Sequence, residues 1–188
     1  PVEEERASPE KLGEICKELS PVVAQASGGE PMLRQDLEQI IRAWKVPNRA
    51  PFIVVTTNAT LLSLDRYQNL REAGVDEFSI SLDYPDERHD EFRGVPGLFH
   101  KIETFIQGLG GQKNKAISLC CVIQSDNFRL LPQMAELAQK WNVTRSPTLL
   151  IAPERYSIRW LGAPMGEEAR TFLETLILVG LGKSHLSD

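Results

Sequence analysis

Ser27-Gly28-Gly29-Glu30-Pro31 follows a short apolar run, Val22-Val23-Ala24-Gln25-Ala26, and precedes an amphipathic segment over residues 34–45. The order is strand, glycine turn, acidic residue, helix. Two adjacent glycines at a strand end let backbone approach a ligand with no Cβ in the way. Glu30 puts a carboxylate at the same edge, suited to an ammonium or another donor-rich group. Pro31 ends the ladder and opens the next turn. By itself the stretch reads equally well as an ordinary βα turn. Its weight comes from what recurs further along.

Outward from this stretch the pattern repeats. Before it, Ser8-Pro9-Glu10 predicts a helix start, with Ser8 as N-cap and Pro9 in the first turn. Leu12, Ile15, Cys16 and Leu19 then fall on one helical face. After it, Leu37, Ile40, Ile41 and Trp44 form the stripe of a second helix. The continuous run Phe52-Ile53-Val54-Val55-Thr56 predicts a strand covered on both faces. Ser63 starts a helix carrying Leu64, Tyr67, Leu70 and Ala73, and Gly74 stops it. Residues 78–83 read as a strand, 84–94 as a charged loop and 96–109 as a helix. Further strands are expected over 117–123 and 148–152, and helices over 128–141 and 166–179.

Strands thus begin about every 25 to 40 residues, the length of a βα unit. Buried strands alternating with amphipathic helices imply a parallel sheet, because parallel strands need crossovers. A complete or partial β/α barrel and a doubly wound open sheet both satisfy this. No dinucleotide-type glycine fingerprint follows any strand, which favours the barrel. The 188 residues read as a single α/β domain, with a barrel core over 8–153 and a C-terminal loop and helix over 154–188.

Polar groups recur at the strand ends: Gly28, Gly29 and Glu30; Thr57 and Asn58; Ser81 and Asp83; Gln124 and Asn127. In a β/α barrel these ends share one rim, where active sites lie. Loops are polar in any case, so the alternative is four unrelated turns.

Net charge is −5 without a basic run, which argues against a nucleic-acid partner. No apolar stretch reaches membrane-spanning length, and no signal peptide is read at Pro1, so a cytoplasmic protein is expected. Cys16, Cys120 and Cys121 are an odd, irregular set, not a disulfide framework. Cys16 lies on an apolar stripe and reads as a buried thiol; Cys120 and Cys121 should face opposite sides of their strand. His89, His100 and His185 lack metal-ligand spacing. The basic and aromatic residues over 155–160 read as a loop packing on the last helix.

Ser-Gly-Gly-Glu-Pro-Met-Leu-Arg-Gln-Asp-Leu (27–37) resembles the second-strand motif of radical S-adenosylmethionine (SAM) enzymes. Thr56-Thr57-Asn58-Ala59-Thr60-Leu61-Leu62 is similar to their third-strand segment. Ser79-Ile80-Ser81-Leu82-Asp83 with His89-Asp90-Glu91-Phe92-Arg93-Gly94 resembles their fourth strand and its loop. The resemblance covers about residues 8–153 and implies a partial six-stranded, TIM-like β/α barrel. It implies S-adenosylmethionine and a 4Fe–4S cluster as cofactors, cleavage to a 5′-deoxyadenosyl radical, and hydrogen abstraction from a small-molecule or peptide substrate. An electron donor such as a flavodoxin or ferredoxin follows from it too.

Carried over residue by residue, the resemblance gives the Gly29 backbone and Glu30 to the methionine ammonium, with Gly28 beside them as cofactor-binding. Ser81 goes to the ribose or carboxylate side and Arg93 to the methionine carboxylate, although Arg93 also reads as a solvated loop residue. Thr57, Asn58, Asp83 and Gln124 become candidates for the substrate or cofactor pocket. The family's C-x3-C-x2-C cluster loop has no counterpart here, so no metal ligand is assigned. First strand and cluster loop are expected before Pro1, and this chain alone should not do the chemistry. An edge at 22–26 without its neighbour should favour self-association. Two alternatives stay open: a non-catalytic SAM- or peptide-binding relative, and an unrelated β/α barrel lyase using Glu30 and Asp83 as acid and base.

Overall fold

The computed structural model describes residues 6–45, 50–111, 115–124 and 126–143. The expected strand over 148–152 and helix over 166–179 lie outside the described residues. Within them, α1 (Pro9–Leu19), β1 (Val23–Ala26), α2 (Leu37–Trp44), β2 (Phe52–Thr57), α3 (Leu64–Ala73) and β3 (Glu77–Ser81) alternate. They are followed by α4 (Arg88–Arg93), α5 (Leu98–Gly108), β4 (Ile117–Cys120) and α6 (Leu131–Lys140). Caps explain the helix starts. Ser8 Oγ accepts from the Lys11 N–H at 3.3 Å, with Pro9 in the first turn, and Ser63 Oγ accepts from the Arg66 N–H at 3.1 Å.

The four strands are parallel, in the order β1-β2-β3-β4. Each crossover advances one place in the same direction, with no reversal of strand order among the described residues. A single buried cluster joins Ile53, Val55, Phe78, Ile80, Ile117 and Leu119 to apolar residues of α2, α3, α5 and α6. The opposite faces of the same strands carry Gln25, Thr56, Ser79, Ser81 and Ser118, none of them in that cluster. Helices on one face and polar groups on the other suit a partial TIM-like barrel, whereas a doubly wound sheet buries both faces under helices.

That asymmetry corrects the reading of β2. Burial alternates along it: Ile53 and Val55 are fully buried, while Phe52 is 47% exposed. A continuous apolar run does not reveal whether its second face is covered. Three further expectations shift. Residues 88–93 form α4 instead of loop. The helix expected from residue 34 starts at Leu37, after a 3₁₀ turn over Pro31–Leu33. On α1 only Cys16 is buried, because the helix packs on α2 and leaves Ile15 and Leu19 exposed.

Gly74 shows what one missing Cβ permits. Its φ is +121°, and a Cβ there would sit 2.7 Å from Cγ and Cε of Lys45. The Lys45 stem crosses this gap so that Nζ reaches Asp76 Oδ2 at 2.7 Å; the same oxygen accepts from the Ile53 N–H at 2.8 Å. The end of α2, the start of β2 and the start of β3 are thereby joined.

Candidate functional site

The rim built from β1 and β2 is organised by Glu30. The chain leaves β1 through Gly28 at φ +90° and Gly29 at φ +53°, left-handed conformations that favour glycine. A Cβ on either glycine would meet nothing within 4 Å, so conformation and not crowding requires them in this structure. Glu30 then caps the 3₁₀ turn: its Oε1 accepts from the Met32 N–H at 3.0 Å. The same oxygen accepts from Thr57 Oγ1 at 2.8 Å, and Oε2 accepts from the Asn58 N–H at 2.7 Å. Thr57 and Asn58 continue the chain of bonds to the Ala59 and Thr60 N–H groups at 3.0 and 2.9 Å.

A carboxylate offers about four acceptor positions, and protein donors occupy three of those on Glu30. Its first task is therefore to bind two strand ends together. Beside it opens a cleft of about 520 Å³. Gln25, Ser27, Gly28, Gly29 and Glu30 line it from β1 and its loop, and Leu37, Ile40 and Trp44 from α2. The backbone of the glycine turn faces this space.

The rim built from β3 and β4 is organised by Asp83. Its side chain has no exposed surface. Oδ2 accepts from Arg93 Nε at 2.8 Å, and Nη2 pairs with the same oxygen at 2.6 Å. Oδ1 accepts from the Val122 N–H at 3.0 Å. The Asp83 N–H donates to His89 Nδ1 at 3.2 Å, and Asn127 Nδ2 donates to the Asp83 carbonyl at 3.1 Å. The sequence makes Asp83 a candidate for the substrate or cofactor pocket; in the structure its carboxylate is bonded inside the protein. Breaking such a buried pair costs about 3–5 kcal/mol. Arg93 is not a solvated loop arginine: its side chain is 28% exposed and α4 holds it over the end of β3.

His89 and Asn127 were not assigned a role from sequence. The available signal was spacing: His89 and Arg93 lie four residues apart, one helical turn, and meet the same aspartate once 88–93 is read as a helix. His89 is fully buried, and its pKa is lowered, first by burial and further by Arg93, against the pull of Asp83 and Asp90. Since Nδ1 accepts from the Asp83 N–H, the ring is neutral with its proton on Nε2. That Nε2 is the one buried side-chain polar atom without a hydrogen-bond partner among the described residues.

Ser81 ends β3 half-buried, in register with Cys120. Gln124 joins through its backbone N–H, which donates to Asn127 Oδ1 at 2.7 Å. Gly29, Ser81 and Arg93 thus occupy the same end of the parallel sheet. The cleft, however, lies on the outer side of β1, and neither Ser81 nor Arg93 lines it.

A 4Fe–4S cluster does not fit the described residues. Cys16, Cys120 and Cys121 are all buried, Cys16 on α1 and apart from the adjacent pair at the end of β4, and among the described residues no group of three ligand-type side chains comes together. Burial pushes the Cys121 thiol up to about 12, with Asp83 adding to the shift, so it is a poor thiolate donor. Among the described residues no helix is long and apolar enough to cross a membrane.

The chain is 34% identical over 129 residues to the AdoMet-dependent heme synthase of Oleidesulfovibrio alaskensis, covering 68% of this chain and 32% of that protein. It is 40% identical over 143 residues to the probable GTP 3′,8-cyclase of Methanococcus aeolicus, covering 72% and 46%. It is 29% identical over 154 residues to the PqqA peptide cyclase of Granulibacter bethesdensis, covering 78% and 40%. The chain therefore spans between about a third and a half of the length of these curated relatives. The family model described as the radical SAM superfamily matches residues 2–137, which takes in β1 to β4 and their polar ends. The chain belongs to the radical SAM superfamily of enzymes.

Proposed function

We propose that this chain forms the S-adenosylmethionine-holding rim of a radical SAM enzyme that abstracts hydrogen from its substrate. The observation that supports this reading is that two built rims lie at the same end of one parallel sheet. One presents an open glycine backbone beside Glu30. The other presents the part-exposed Arg93 guanidinium beside Ser81. An ammonium suits the acidic turn and a carboxylate suits the arginine, and S-adenosylmethionine carries both.

An iron–sulfur cluster, where bound, would supply the electron for cleavage of S-adenosylmethionine, and none of the residues described here would hold it. The residues described here bind and orient the methionine end of S-adenosylmethionine. Gly28 and Gly29 let the backbone approach it, and Glu30 offers its remaining acceptor position. Thr57 and Asn58 keep Glu30 in place. The relatives' substrates differ, by their names, between heme synthesis, GTP cyclisation and a peptide, so substrate choice is not common to them.

Calorimetric titration of the protein with S-adenosylmethionine tests this. Binding is expected, and Gly29→Ala should weaken it by about a hundredfold or more, about 3 kcal/mol, while costing only about 1–2 kcal/mol of stability for a side chain in the left-handed region. Because a Cβ there meets nothing in the protein, a larger loss of binding than of stability identifies the ligand as what it obstructs. No heat of binding with the unaltered protein removes the reading.

A further inference from the structure

Arg93 spends only part of its guanidinium on Asp83. Nε hydrogen-bonds to a single oxygen, Oδ2, and Nη2 forms its ion pair with that same oxygen. Nη1 and the outer hydrogen of Nη2 point away from that oxygen, and Nη1 donates to no described residue. This is the fork edge that a second carboxylate can take in bidentate fashion. A long, flexible arginine on a rim loses affinity through the entropy of fixing it, unless something already holds it.

Asp83 supplies that hold and is itself immobilised. The Val122 N–H fixes its second oxygen, His89 its amide and Asn127 its carbonyl. His89 and Arg93 leave the same turn of α4, so the helix is clamped to the strand end at both its amide and its side chain. The Phe92 ring lies 5.6 Å below the Arg93 guanidinium and closes one of its faces.

We propose that Asp83 is a positioning residue that aims the outer edge of Arg93 at the carboxylate of S-adenosylmethionine. The inference rests on the proposed S-adenosylmethionine function of this rim. It replaces the direct ligand role that the sequence suggested for Asp83, and it makes His89 and Asn127 the supports of that aim.

The test compares S-adenosylmethionine with its decarboxylated form, which lacks only the carboxylate, by calorimetry on the full-length protein. For the unaltered protein the carboxylate should raise affinity by about tenfold or more, the worth of a charge-assisted contact. Arg93→Ala should abolish that preference. Asp83→Asn, which keeps the side-chain shape and one acceptor oxygen, should reduce the preference by about fivefold while leaving affinity for the decarboxylated form unchanged. A purely structural role would weaken both ligands equally, and that result overturns the inference. A gain in affinity for S-adenosylmethionine in Asp83→Asn overturns it too, since Asp83 would then compete with the ligand for Arg93. If the unaltered protein binds neither compound, the proposed function falls and this inference with it. If it binds both and only Asp83→Asn behaves otherwise than stated, this inference alone falls.

Discussion

Thr57 Oγ1 donates to Glu30 Oε1 at 2.8 Å, so a side chain ties the turn after β1 to the end of β2 beyond the last rung of the sheet. Thr57 is almost fully buried, and its hydroxyl has little water to fall back on. Glu30→Ala should therefore cost about 1–3 kcal/mol, the penalty of leaving buried donors unmatched. Glu30→Gln keeps one acceptor oxygen and should cost less. Urea unfolding of the two variants checks the order; an unchanged midpoint for Glu30→Ala would show that the tie carries no load.

His89 predicts a pH dependence with a definite sign. The folded ring is neutral and its pKa is lowered by burial. The unfolded ring takes up a proton near pH 6.5. Just below that pH the unfolded state binds more protons, so stability falls as pH drops below about 6.5 and is fully present above it. Carboxylates such as Asp76 have lowered pKa values, so their contributions are lost only in a more acidic range. The check is urea stability between pH 7 and 5: it should decline for the unaltered protein and flatten in His89→Gln.

Gly74→Ala should destabilise by about 1–3 kcal/mol, through a disfavoured backbone conformation and displacement of the Lys45 stem. The Lys45–Asp76 contact should weaken with it. A double-mutant cycle of Gly74→Ala with Lys45→Met measures the coupling. Additive effects would mean that the Cβ is accommodated without moving Lys45.

The outer edge of β1 should make the chain self-associate. Among the described residues β1 pairs with β2 alone, and Val22 next to it is 85% exposed. Exposed strand edges template pairing with other chains, and lysine on the edge suppresses it. Light scattering should show association that grows with concentration and is reduced by Val23→Lys. A monodisperse monomer across the concentration range contradicts this.

Residue order alone determined the alternation of strands and helices, the helix starts at Ser8 and Ser63, and the gathering of polar groups after each strand. These follow from local rules: side-chain periodicity, caps, and the conformations open to glycine. It also determined the family, because three motifs kept their order and their βα setting. Tertiary structure decided what those polar groups touch. Whether the run from Phe52 to Thr57 is covered on one face or two depends on where helices dock. Whether Asp83 meets solvent or Arg93 depends on α4 folding back over the end of β3. Glu30 and Asp83 look alike in sequence as acids after strands, yet Glu30 cross-links two strand ends while Asp83 is buried under an arginine. The physical reason is that hydrogen bonds between residues 10 to 39 positions apart depend on register and packing, which no local window of sequence contains.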